Sequence, residues 1–179
     1  MNLRIISGKY GGRPIQSPGG QLTHPMSERV RSSLFNIINN ELQDTCVLDV
    51  FAGTGSLGLE ALSRGANHAT FIESNRVASR ILDENIVLLG ASDATTLIQI
   101  DASTWIDKNK NKLFDIIFVD PPYNSLQLST VSKLVGLLKA NGLMILSYPG
   151  RGDVPAVNGV VVVDNRSYGT AALTFYRKK

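Results

Sequence analysis

From Cys46 onward the chain alternates short apolar runs with segments whose apolar residues recur at helical spacing, and no other feature restricts its fold as strongly. The strand-like runs are 46–50, 69–72, 97–100, 115–119 and 143–147, and the helix-period segments 56–64, 75–89, 103–109 and 126–139 lie between them. Repeated strand–helix–strand units predict a parallel sheet with helices on its faces. Ile116-Ile117-Phe118-Val119 shows no polar alternation, as expected of a strand covered on both sides. The rhythm breaks near the end. Runs at 160–163 and 170–176, joined by the turn-rich stretch Asp164–Gly169, predict an antiparallel hairpin. At the front, Gly8, Gly11, Gly12, Pro14, Pro18, Gly19 and Gly20 punctuate short apolar pieces and predict a small hairpin. Pro25 and Ser27 then open a helix to about Leu42, with Ser27 as N-cap and Val30, Leu34, Ile37 and Ile38 on one face. The expected architecture is a Rossmann-like α/β three-layer sandwich over 27–179, preceded by a hairpin arm over 1–26.

Charge is uneven along this framework. Residues 1–31 hold Arg4, Lys9, Arg13, Arg29 and Arg31 against Glu28 alone, a net of +4, while the remainder carries −1 of the total of +3. A basic arm of this kind attracts phosphate backbones through counterion release, and these five residues are candidate RNA contacts; the plainer reading is a solvated surface. No apolar run approaches the roughly 20 residues that cross a bilayer, and the N-terminus lacks the apolar core of a signal peptide, so a cytoplasmic protein is expected. The single cysteine, Cys46, forms no internal disulfide and reads as a small buried hydrophobe. His24 reads as a surface residue, His68 as a loop residue before the second strand, and Trp105 as core. No metal site is expected.

The first strand runs directly into Asp49-Val50-Phe51-Ala52-Gly53-Thr54-Gly55-Ser56-Leu57-Gly58, a GxGxxG turn between strand and helix. Glycines there let the backbone approach a ligand closely, and the following helix offers its first N–H groups; an ordinary tight turn is the alternative. Glu73, at the end of the second strand and 20 residues after Gly53, suits the two hydroxyls of a ribose. Asp49 decides between nucleotide classes. A carboxylate beside the glycines repels a pyrophosphate but welcomes the sulfonium and ammonium of S-adenosylmethionine. Asp101, ending the third strand, is placed to accept from an adenine amino group or to cap the next helix. Phe51, Gly53, Thr54, Gly55, Ser74 and Ala102 complete the expected cofactor contacts.

After the fourth strand stands Asp120-Pro121-Pro122-Tyr123. Each proline removes a donor and holds its predecessor extended, so Asp120 and Pro121 form a stiff pair of acceptors. An exocyclic amine on a base is a poor nucleophile because its lone pair is delocalised into the ring. Taking its two N–H bonds on the Asp120 carboxylate and the Pro121 carbonyl aims the nitrogen at an activated methyl group. Asp120 would also stabilise the charge developing on nitrogen and take up its proton, with Pro122 fixing the turn. Tyr123 would stack on a base flipped from its helix. The plainer reading ends a strand with Pro-Pro and packs Tyr123 on the core.

Together, Asp49–Gly58, Glu73, Asp101 and Asp120–Tyr123 resemble class I S-adenosylmethionine-dependent methyltransferases acting on amino groups. Arg4–Lys9, Glu28–Arg31 with Leu34–Asn36, and Leu59–Ala66 are further similar to the RsmD-type family, which methylates the 2-amino group of a guanine in bacterial small-subunit rRNA. The resemblance implies a seven-stranded, mostly parallel sheet with a reversed last strand, a basic N-terminal arm used for RNA, and a monomer acting on 16S rRNA in an assembled or assembling 30S particle. Two departures stand out. His24 and Met26 replace an arginine and a threonine usual around Pro25, and Gly150–Asn158 is too short for the helix usually found before the final hairpin. Three other functions fit parts of the pattern: a DNA adenine methyltransferase, which lacks room here for a sequence-reading domain; a non-catalytic RNA-binding assembly factor; and a nicotinamide oxidoreductase, for which Asp49 and the Pro-Pro corner have no use.

Overall fold

The computed structural model describes residues 3–18, 26–150 and 152–179, and among these it forms two sheets. The larger has seven strands: β3 (Cys46–Val50), β4 (His68–Glu73), β5 (Thr95–Gln99), β6 (Phe114–Val119), β7 (Leu138–Pro149), β8 (Val160–Tyr168) and β9 (Ala171–Lys178). Their spatial order is β5-β4-β3-β6-β7-β9-β8. The pairs from β5 through β7 are parallel, whereas β9 runs antiparallel to both β7 and β8, so the expected terminal hairpin is present. The chain moves outward from β3 to β5, then crosses back to place β6 on the other side of β3. That reversal leaves a crevice at the carboxyl ends of β3 and β6, the place where open α/β sheets bind ligands.

Helices α2 (Ser56–Ser63), α3 (Arg76–Leu89), α4 (Ala102–Lys108) and α5 (Leu128–Leu134) follow the strands, and α1 (Glu28–Ile37) precedes them. Three of them begin at a side-chain cap. The Ser27 side chain accepts from the Val30 N–H, Asn75 accepts from Val77 and Ala78, and Asp101 accepts from Thr104. Gly90 ends α3 in the left-handed conformation that glycine adopts without strain. Two apolar clusters sandwich the sheet: one gathers Phe35, Phe71, Phe118 and Phe175, the other Trp105, Ile117, Val131 and Tyr176.

Boundaries depart from the periodicity at several places. Strand β8 runs on through Asp164–Tyr168, where composition predicts the turn, because those residues pair with β9 and leave only Gly169 and Thr170 between the strands. The segment 126–139 is helical only over Leu128–Leu134, followed by a 3-10 turn at Val135–Leu137, because Leu138 is already paired with Phe114 as the start of β7. Asn141 takes a left-handed φ of 60° where that ladder is irregular. Helix α1 stops at Ile37, with a 3-10 turn over Asn39–Glu41; Ile37 is exposed because Phe35 and Ile38 carry the buried face. Cys46 is partly exposed at the start of β3, His68 is the first residue of β4, and Trp105 is buried. No helix sits between β7 and β8 among the described residues, and Val161, Val162 and Val163 are exposed there.

The hairpin arm, β1 (Leu3–Arg4) paired with β2 (Pro14–Ile15), is fastened to the domain. Leu3, Ile5, Tyr10 and Ile15 join the cluster that covers one face of the sheet. The buried Glu60 carboxylate accepts from the Ile6 and Ser7 N–H groups, and Ser63 Oγ accepts from the Tyr10 N–H. The fully buried Asn85 pairs with both backbone groups of Gln16 and donates to the Thr54 carbonyl in the glycine turn. His24 and Pro25 lie outside the described residues.

Candidate active site

A cavity of about 860 Å³ opens at the carboxyl ends of β3, β4 and β6, within the range typical of small-molecule sites. The glycine turn forms its floor. Phe51 and Gly53 both take left-handed φ values, 62° and 55°. A Cβ on Gly53 would meet nothing within 4 Å, so the constraint there is backbone conformation and clearance toward the cavity. At Gly58 the constraint is packing, since a Cβ would come within 2.3 Å of the Phe71 ring.

Three of the predicted acids are placed by backbone groups. Buried Asp49 accepts from the Gly58 N–H at 2.9 Å, tying the strand end to α2. Glu73 accepts from the Gly53 and Asn75 N–H groups, each at 2.7 Å, which locks the carboxylate between the first and second strand ends. Asp101 caps α4 by accepting from the Thr104 N–H at 3.0 Å through one oxygen, and it also lines the cavity. Its two sequence readings are therefore compatible.

Asp120, Pro121, Pro122 and Tyr123 line the same cavity, so the structure brings the proline corner and the glycine turn together. The Pro122 carbonyl accepts from the Ser125 N–H at 2.8 Å, while no hydrogen bond to the Pro121 carbonyl is found among the described residues. Tyr123 is 42% exposed as a residue, and its hydroxyl lies 2.8 Å from Ser147 Oγ. Met26, just before α1, and Val30 within it, with Tyr168, Thr170 and Ala171 from the final hairpin, close the far wall. The Tyr168 hydroxyl meets Ser33 Oγ at 2.5 Å, joining α1 to that hairpin.

Four carboxylates, those of Asp49, Glu73, Asp101 and Asp120, face this cavity, and no lysine, arginine or histidine is among its described lining residues. Two of these acids, Asp49 and Asp120, are shifted in their ionisation. Burial pushes Asp49 well above the usual carboxylate range, and the neighbouring Asp120 and Glu73 push it further, against the pull of the Gly58 N–H. Burial raises Asp120 to about 6, with the Ser147 hydroxyl opposing the rise. Such a site lacks a positive charge from its ligand. A sulfonium and an ammonium supply it, and a pyrophosphate would be repelled.

The five basic residues of the first 31 are treated differently by the fold. Lys9 stands over the Tyr10 ring at 5.2 Å and Arg29 is exposed on α1. Arg4 pairs with Glu28 at 2.7 Å on the surface, and Arg13 donates to the carbonyls of Leu88 and Leu89 at the end of α3. Arg31 is a correction: it is wholly buried, its Nη2 donates to the Arg4 carbonyl at 2.5 Å, and it cannot meet a phosphate from there. Asn124, Gln127, Tyr168 and Thr170 line the cavity without belonging to any motif of the sequence, and they converge only through the crossover and the terminal hairpin; Met26, one of the two departures around Pro25, lines it as well. No cluster of histidine, cysteine or carboxylate side chains suited to a metal ion occurs among the described residues.

Residues 3–177 match the family model described as conserved hypothetical protein 95. Ribosomal RNA small subunit methyltransferase D of Escherichia coli strain K12 is 38% identical over 140 residues, which cover 78% of this chain and 68% of that protein. The protein of the same name from Buchnera aphidicola of Acyrthosiphon pisum is 35% identical, covering 76% of this chain and 70% of its own. Among solved structures, Escherichia coli yhhF superposes with a TM-score of 0.90 at 33% identity, covering 100% of this chain and 99% of that one.

Proposed function

Since the chain belongs to the family of conserved hypothetical protein 95, with the RsmD-type rRNA methyltransferases, we propose that it transfers a methyl group from S-adenosylmethionine to the exocyclic 2-amino group of a guanine in 16S rRNA. One observation carries the reading: the stiff acceptor corner and the glycine turn share a single cavity walled by acids and free of described cations. The residues present fit this cofactor. Glu73 would accept from the ribose hydroxyls, Asp101 and Ala102 would flank the adenine, and Asp49 beside Phe51, Gly53, Thr54, Gly55 and Ser74 would face the charged amino-acid end. The cofactor supplies an electrophilic methyl group on a sulfonium.

The chain's own part is to present the nucleophile. The Asp120 carboxylate and the Pro121 carbonyl accept the two N–H bonds of the target amine, which turns its nitrogen toward the methyl. Tyr123 stacks on the base and holds it out of its helix; such a contact is worth about 1–3 kcal/mol. As the nitrogen gains positive charge, Asp120 stabilises it and then takes the released proton, a task that an acid near 6 performs close to neutrality. Lys9 and Arg29 present positive charge on the outside of the fold, where rRNA would approach, and Arg4 and Arg13 add to it while anchoring the arm. No described helix is long and apolar enough to cross a membrane, and a cytoplasmic monomer acting on the 30S particle fits this reading.

The test is incubation of the protein and S-adenosylmethionine with small ribosomal subunits that lack the modification, followed by nucleoside mass spectrometry. N2-methylguanosine is the expected product. N6-methyladenosine from duplex DNA would transfer the same corner to the DNA adenine reading, and failure to bind S-adenosylmethionine by calorimetry would favour the non-catalytic assembly factor.

A further inference from the structure

Strand β7 turns Leu143, Ile145 and Ser147 toward the same side of the sheet, the first two being members of the cluster that contains Phe118 and Leu173. A third apolar residue would continue that face. A hydroxyl stands there instead, 2% exposed, opposite Leu173 of β9. Burying it without partners would leave its desolvation uncompensated, so its contacts need an explanation. The ladder between β6 and β7 pairs Val119 with Leu146, which sets the next residues, Asp120 and Ser147, side by side. Ser147 Oγ also lies 2.8 Å from the Tyr123 hydroxyl.

We infer that Ser147 is a positioning residue that ties the two ends of the Asp-Pro-Pro-Tyr corner to the sheet, fixing the Asp120 carboxylate and the Tyr123 ring relative to one another. A serine hydroxyl has one proton and two lone pairs. In the proposed tie it would donate to the ionised Asp120, its neighbour by register, and accept from the Tyr123 O–H, so that both neighbours keep a defined orientation. The prolines stiffen the corner along the chain, and Ser147 fastens it from the neighbouring strand. Without that tie the acceptor pair would wander by a fraction of an ångström to an ångström, which is enough to cost about a hundredfold in rate. The inference rests on the methyl-transfer reading above.

The groups facing Asp120 define the pH behaviour. Asp49 from β3 and Glu73 from β4 share its cavity, Tyr123 stands on its own loop, and Ser147 approaches from β7; no cation is among the described lining residues. The ionised carboxylate is the active form, so the rate falls as pH drops through the Asp120 ionisation. Loss of the Ser147 donor disfavours that form, and the acid limb of kcat moves to higher pH.

The experiment measures kcat, KM and the pH profile on small ribosomal subunits for Ser147→Ala, Ser147→Thr and Tyr123→Phe, with S-adenosylmethionine affinity from calorimetry. Ser147→Ala should lower kcat about tenfold to a hundredfold with cofactor affinity unchanged and the acid limb displaced upward. Ser147→Thr should restore the limb and most of the rate. Tyr123→Phe keeps the stacking ring, should lower kcat in the same direction, and should add little to Ser147→Ala in the double variant. If Ser147→Ala does not fold, Tyr123→Phe still decides, because it alters the exposed end of the tie. Wild-type kcat and an unmoved acid limb in either variant would overturn the inference, as would a lower melting temperature with the limb unmoved. Absence of methylguanosine from the wild-type protein would sink the functional reading itself, a result distinct from any of these.

Discussion

In the proposed reaction Asp120 would serve at once as hydrogen-bond acceptor, countercharge and proton acceptor, and the fold places its carboxylate out of water beside the Ser147 hydroxyl. Replacing it with alanine should leave S-adenosylmethionine binding within a few-fold of normal, since Glu73, Asp101 and the glycine turn remain. Methyl transfer should fall by about a hundredfold or more. Calorimetry and a labelled-methyl assay read the two separately. The acids at strand ends were legible in the sequence because strand alternation fixes where each strand stops, and a carboxylate at that position enters the crevice. Arg31 was not legible. A charge count treats every arginine as a surface group, whereas this one is buried against the Arg4 carbonyl, and its Nε and Nη1 have no partner among the described residues. Ser147 was equally hidden, because a lone serine in an apolar strand acquires meaning only when the register sets it beside Asp120.

At the level of elements, the hairpin arm depends on close backbone approach. Gly8 has φ of 83°, and a Cβ there would fall 1.8 Å from the Ser63 carbonyl oxygen at the end of α2. Gly12 has φ of 80° with nothing within 4 Å of the same construction. Gly12→Ala should therefore cost only the conformational term, about 1 kcal/mol, while Gly8→Ala should cost clearly more and release the arm. Hydrogen exchange over residues 3–16 and urea midpoints for both variants would show the difference; equal effects would contradict the packing account. Periodicity located β3, β4, β5 and β6 within a residue or two, whereas β7 starts at Leu138 rather than Leu143 and β8 continues to Tyr168 rather than Val163, because ladder pairing extends both strands. It overextended α5, where Val135–Leu138 reads equally well as helix or strand, and only pairing with β6 decides the matter. The docking of the arm could not be read from sequence either, since it rests on Glu60, Ser63 and Asn85, three polar residues inside helices that mark no pattern of their own.

The molecule as a whole gathers negative charge at one end of its sheet, and its stability should reflect that. Carboxyls held above their unfolded values, as Asp49 and Asp120 are, bind more protons in the folded state. Their contribution to stability is present at low pH and is lost as pH rises through the raised ionisations. A cationic ligand restores it. Addition of S-adenosylmethionine should accordingly raise the melting temperature more at pH 8 than at pH 5, and an equal rise at both would argue against a charged ligand in this cavity. In the proposed reaction the acid wall would also bear on what can be methylated. The phosphomonoester of GMP carries about 1.5 to 2 negative charges and would bring them toward four carboxylates, whereas each phosphodiester of an RNA carries a single charge. GMP at millimolar concentration should accordingly neither accept a methyl group nor slow the reaction on the ribosomal particle.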